Sequence, residues 1–169
     1  MQEKYWNQMT QYKFALCYMD EQIERSVVIN RTIIVMCAAF SSVSIAAWTK
    51  WTHLAFLWGL LIAASQVLSA INEFLPYKNR IKELDGLKNS SSHIYIEMEH
   101  DWFNVSGGLL SDEEINDKCF RYAEEWDSID GSFLKDDSIH HNRKCVARAE
   151  KKKNLYFERV FNGGYKNES

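Results

Sequence analysis

Residues 32–48 and 54–75 are two apolar stretches separated by five residues, and neither carries a charge until Glu73 near the end of the second. A bilayer core about 30 Å thick is crossed by roughly 20 apolar residues of helix, with about 17 as the short limit. At 17 and 22 residues, both stretches reach that range. A buried hairpin in a soluble core is the competing reading, but the flanks favour a transmembrane hairpin. Trp48, Trp51 and His53 crowd the short connection, as aromatic residues do at a headgroup boundary. The connection holds one cation, Lys50, whereas Arg25 and Arg31 precede the first stretch and Lys78, Arg80 and Lys82 follow the second. The positive-inside rule then puts both termini on the cytoplasmic side.

Bulk composition hides this pattern. A mean hydropathy of -0.37 and a net charge of -3 are ordinary for a soluble domain, because most of the chain is polar and lies outside the two stretches. The long polar lead-in excludes a cleaved signal peptide, which would begin with a basic start and a short apolar core. Cys17, Cys37, Cys119 and Cys145 are scattered without a CxxC spacing, so reduced thiols are expected.

Outside the stretches, helical spacing organises the chain. Tyr5, Met9, Tyr12, Leu16, Met19, Ile23 and Val27 recur at steps of three and four, which draws one apolar stripe along a helix leading into the first stretch. Tyr77, Ile81, Leu84, Tyr95, Met98, Trp102 and Val105 repeat that alternation, interrupted at Lys88 and Ser91. A third stripe comprises Ile115, Cys119, Tyr122, Trp126 and Ile129. Matching periods predict antiparallel helices packed through these seams. Pro76 can kink the chain where it leaves the second stretch. Residues 89–92 have poor helix propensity but are read as part of one continuous helix. Gly107 and Gly108 end it, and Ser111 with Glu114 forms a capping box that starts the next. Gly131 is expected to open another connection, and a last helix is expected over about 138–162 before Gly163 and Gly164. No strand-like alternation of any length is present. The expectation is an all-α membrane protein: a cytoplasmic amphipathic helix over 1–26, a two-helix transmembrane hairpin over 27–75 and a cytoplasmic helical bundle over 76–169.

Charge is uneven along the chain. Acids dominate residues 97–137, whereas Arg143, Lys144, Arg148, Lys151, Lys152, Lys153 and Arg159 make the last helix basic. At about 100° per residue, Lys144, Arg148, Lys151, Lys152 and Arg159 share one face, and Val146, Ala149, Tyr156 and Val160 the opposite one. The basic face either balances the acidic helix or binds anionic lipid or a phosphate-bearing ligand, with Arg148 and Arg159 as paired donors and Tyr156 or Phe157 as a stacking surface. Within the hairpin, Ala38, Ser42 and Ala46, and likewise Gly59 and Ala63, recur every fourth position, a spacing that lets helices approach closely in lipid. Ser65, Ser69 and Asn72 form a polar stripe with Gln66 and Glu73 beside it. Such groups are costly in lipid unless they face another helix or water, so they serve either as an interhelical contact or as a pore lining.

Catalytic chemistry is not indicated. His93, His100, His140 and His141 are dispersed, no serine sits in a glycine-framed elbow, and no phosphate-cradling glycine loop is present. His141 and Cys145 are one turn apart, but two ligands do not make a zinc site. No enzyme activity, no obligate cofactor and no nucleic-acid polymer as partner are expected.

The lead-in KFALCYMDEQIERSVVINRTIIV, the tight connection WTKWTH and the returning segment LPYKNRIKELDGLKN resemble the layout of the SLATT two-transmembrane effectors of bacterial anti-phage systems, over roughly the first 105 residues. The resemblance implies a homo-oligomeric inner-membrane effector that permeabilises the membrane of an infected cell, under control of a cyclic oligonucleotide that either activates or restrains it. A membrane-anchored scaffold that recruits a protein partner and conducts nothing is the alternative.

Overall fold

A computed structural model describes residues 1–48, 56, 59–60, 63–64, 66–67, 77–133 and 142–162. Every element among them is helical: α1 (Gln2–Trp48), α2 (Tyr77–Ser106), α3 (Asp112–Phe133) and α4 (Arg143–Phe157), which continues as a π-helical turn, Glu158–Asn162. Two compact units are formed. One combines Met1–Ile23 with Lys82–Ser169, and the other is Glu24–Ile81.

The 47 residues of α1 contain neither glycine nor proline, so nothing in the chain breaks its hydrogen-bond ladder. In the first unit the predicted seams are buried. Tyr5, Met9, Leu16 and Met19 of α1 lie in the core, as do Leu84, Tyr95, Met98 and Val105 of α2 and Ile115, Cys119 and Tyr122 of α3. Tyr12, Trp102, Trp126 and Ile129 are partly buried against them. Helix α2 runs unbroken through 89–92. Ser91, one of the two interruptions of its stripe, is fully buried, and Lys88, the other, reaches Asp20 at 2.6 Å.

Both ends of the α2–α3 connection follow from local chemistry. Gly108 has φ +69°, its N–H donates to Val105 O and Leu109 N–H donates to Asn104 O. That pairing is a Schellman motif, which glycine enters without a Cβ penalty. At the start of α3, Ser111 N–H donates to the Glu114 carboxylate at 2.7 Å while Glu114 N–H donates to Ser111 Oγ at 3.3 Å, the predicted capping box. Those bonds hold the Glu114 carboxyl below the usual carboxylate range.

Two boundaries differ from expectation. Gly131 does not open a connection; α3 passes through it to Phe133, since a glycine in a last turn costs only about 1 kcal/mol. The last helix is shorter than 138–162, because Asn142 is its N-cap: Asn142 Oδ1 accepts from the N–H groups of Lys144 and Cys145. Asn142 N–H in turn donates to the Tyr18 hydroxyl of α1 at 3.1 Å, fixing where α4 begins.

In the second unit, apolar side chains face outward. Val27, Val28, Ile34, Val35, Met36, Phe56, Leu60 and Val67 are all exposed. Ile34, Val35 and Met36 are consecutive, so they point about 100° apart and the exposure is not confined to one stripe. Among the described residues no helix is long and apolar enough to cross a membrane. The stretch 54–75 falls largely outside those residues, as do the side chains of 40–48.

Candidate functional site

Charge in the first unit concentrates where α4 crosses α1. Asp20 and Glu21 sit side by side on α1, and Glu21 is only 3% exposed. A carboxylate so deeply placed must be paired. Lys152 of α4 supplies the pairing at 2.7 Å to Glu21 and 3.2 Å to Asp20. Lys88 closes on Asp20 from α2 at 2.6 Å, and the Arg148 guanidinium stands 3.7 Å from Glu21. One acidic pair thereby ties three helices. Burial alone would raise the Asp20 carboxyl, but hydrogen bonds from Lys88 and Lys152 prevail and hold it below its ordinary range. The Glu21 hydrogen bond and Asp20 together push the Lys152 amine upward against burial.

This arrangement sorts the predicted basic face. Lys152 is committed to α1 rather than to the acidic α3. The Arg148 side chain stays 72% exposed despite the Glu21 contact. Lys144, Lys151 and Arg159 are exposed. On the opposite face Cys145 and Ala149 are buried, whereas Val160, expected to pack, is exposed. Val160 lies in the π-helical turn, and there Phe161, together with Phe157, is the residue that reaches Trp6, with ring centroids 5.2 and 5.1 Å away. Tyr156 donates to Glu99, and burial together with that carboxylate pushes its hydroxyl up to about 12. Neither Tyr156 nor Phe157 therefore offers a free ring to a base.

A second cluster escaped the sequence reading. Lys13 of α1 lies over the rings of Tyr156 and Tyr95, 3.3 and 4.5 Å from their centroids, and burial pushes its amine down. Its position within the first apolar stripe is the signal that could have located it, since an interior lysine needs a cation–π or ionic partner. At the far side of the bundle, Asp101 accepts from Lys118 Nζ at 2.6 Å and from the Tyr122 hydroxyl at 2.7 Å. Burial raises its carboxyl, but these bonds outweigh that and lower it. An open groove of about 770 Å³ runs between α1 and α3, lined by Lys4, Gln8, Tyr12, Cys119, Phe120 and Ala123 among others.

Asp20 and Asp101 make stability pH-dependent in a defined direction. Both carboxyls titrate lower when folded than in the unfolded chain, where Asp titrates near 3.9. Their contribution is complete above that value and drains as pH falls through the depressed folded values. Thermal midpoints measured from pH 6 down to pH 2 should fall steeply below about pH 4, and Asp101→Asn should flatten that fall. An unchanged slope in Asp101→Asn would remove Asp101 from the account.

Of the residues expected in a hairpin, Ala38, Gly59, Ala63 and Gln66 are exposed, and a Cβ added at Gly59 would meet nothing within 4 Å. Ser42 and Ala46 lie on α1 with side chains outside the described set, and Ser65, Ser69, Asn72 and Glu73 lie outside the described residues altogether, as does His141 beside Cys145. Among the described residues no group of three or more His, Cys, Asp or Glu is placed to hold a metal. No protein-family model, curated protein or solved structure matches this chain.

Proposed function

We propose that the chain is a membrane effector: a two-helix hairpin in the inner membrane, carrying a cytoplasmic helical bundle, whose copies assemble and permeabilise the bilayer. The observation that carries this reading is the outward-facing apolar surface of the second unit, including Ile34, Val35 and Met36 on successive azimuths. A helix that is apolar all round is at rest only inside a large core or in lipid. As sequence, the uncharged runs 32–48 and 54–75 are long enough to span a bilayer as helices. Assembly is favoured by the small residues Gly59 and Ala63, which are exposed and recur at the spacing that lets helices approach closely in lipid. Ser65, Ser69 and Asn72 are the proposed pore lining, and a cyclic oligonucleotide is the proposed regulator, its phosphates held by Lys144, Lys151, Arg159 and the exposed part of Arg148.

Induced expression should collapse the host membrane potential, read with a voltage-sensitive dye. Replacing Ser65, Ser69 and Asn72 together with leucine should remove that leak while the protein stays in the membrane fraction, because leucine dries a lumen and favours lipid. A full leak from the triple variant would take the lining away from these residues. Wild-type protein that resides in the membrane without changing the potential would favour the scaffold that only recruits a partner.

A further inference from the structure

Two outward stripes on the bundle are alike in length and spacing and opposite in sign. On α3, Glu113, Asp117, Phe120, Glu124 and Asp127 recur at steps of four and three, and all five are exposed. On α4 and the π-helical turn that continues it, Lys144, Arg148, Lys151, Leu155 and Arg159 recur at steps of four, three, four and four, and all five are exposed. Each stripe spans roughly 21–23 Å at 1.5 Å per residue. Each also carries one outward apolar side chain among its charges, Phe120 at 59% exposure and Leu155 at 41%. Within one protomer α3 packs inward on Gln8, Tyr12 and Asp101 and α4 packs inward on Trp6, Asp20 and Glu99, so both stripes are left facing out.

We infer that the acidic stripe of α3 docks antiparallel onto the basic stripe of α4 from a second copy of this chain. Setting Phe120 against Leu155 in that direction brings Glu124 opposite Lys151 and Asp127 opposite Arg148, with Asp117 within one residue of Arg159 and the half-buried Asp130, just beyond the stripe, within one residue of Lys144. Every cation of the stripe meets an acid. The antiparallel direction also opposes the two helix dipoles, and it settles a local cost, since Arg143 and Lys144 sit in the first turn of α4 with no acid beside them, at the positive end of the helix. Leu155 lands beside the groove between α1 and α3 that Phe120 and Ala123 line. Made once between each pair of copies, the contact is heterologous and repeats from copy to copy, giving rings or open chains; a ladder beyond the dimer tells this apart from a reciprocal two-fold pair. A single helix face is small against the roughly 1,600 Å² of a standard interface, so confinement of neighbours to one membrane supplies the effective concentration the contact needs. Ligand phosphates and the acidic stripe draw on the same cations, so the two uses exclude one another. This inference rests on the proposed assembly in the membrane.

The test uses the full chain in native membranes, treated with a short bismaleimide, with the wild-type chain as the blank for its own cysteines. A chain carrying both Phe120→Cys and Leu155→Cys should give a ladder of cross-linked multimers. Neither single substitution should do so, and a mixture of the two singly substituted chains should give a dimer. Lys151→Glu with Arg159→Glu in the doubly substituted chain should reduce the ladder about tenfold or more, since like charges then face each other. Adding Asp117→Lys and Glu124→Lys to that chain should restore it. Cross-linked dimers from either single substitution, a ladder insensitive to charge reversal, or no restoration would each overturn the inference. A lost ladder with membrane depolarisation intact refutes the docking and leaves the proposed function standing. A ladder without depolarisation does the reverse.

Discussion

Replacing Lys152 with alanine lowers the thermal midpoint by roughly 6–12 °C, on the basis that breaking a buried ion pair costs about 3 kcal/mol and each kcal/mol is worth about 2–4 °C in a chain of this size. The cost lies with the partner left behind. The Lys152 side chain is 40% exposed, whereas Glu21 is 3% exposed and, among the described residues, is left with the Arg148 guanidinium at 3.7 Å. Asp20 retains Lys88, so the loss concentrates on one carboxylate. The partner substitution separates this cause from lost packing. In Glu21→Met with Lys152→Met no charge is stranded, and exchange of a buried pair for apolar groups of similar volume is often neutral or better. The double variant should recover most of the midpoint. A double variant as unstable as Lys152→Ala would show that the lysine stem, rather than the ion pair, holds α4 on α1.

That network marks the limit of what the order of residues discloses. Seam residues such as Tyr5, Met9, Tyr95, Met98, Ile115 and Tyr122 were legible because burial of a helix face imposes a period of three and four that any reader can count. The capping box at Ser111 and Glu114 and the glycine stop at 107–108 were legible because caps are local chemistry. Which helix lies against which is not local. The basic run on α4 looked complementary to the acidic residues of 97–137, but Lys152 pairs with Asp20 and Glu21, well over a hundred residues upstream. Nothing in a period announces a partner at that separation. Leu87 and Ile94 are buried off the predicted stripe, because Ser91 between them leaves room for α2 to be approached on a broader face. Tyr156 and Phe157 offered themselves as stacking rings only while their neighbours were unknown. The π-helical turn at 158–162 could not be foreseen from spacing that assumes 3.6 residues per turn, and Val160, expected to pack, lies within it and is exposed.

The sharpest separation between a lipid-embedded α1 and a soluble one comes from Ala39→Asp. Ala39 lies close to the centre of the uncharged run 32–48 and is exposed. If that surface meets water, an aspartate there is an ordinary surface substitution, worth within about 0.5 kcal/mol either way, and the distribution of the protein between membrane and soluble fractions does not move. If the surface meets hydrocarbon, an aspartate near the centre of the span costs about 2.5–3.5 kcal/mol of insertion, which is a shift of roughly 70- to 400-fold in the partition. The expected result is transfer of most of the protein out of the carbonate-resistant membrane fraction, together with loss of depolarisation. Ala39→Leu, which adds apolar surface at the same place, should leave both unchanged, so that a mere dislike of bulk at this position is told apart from a dislike of charge. Retention of the aspartate variant in the membrane at the wild-type level would remove residues 32–48 from the bilayer and return the first apolar stretch to a protein interior.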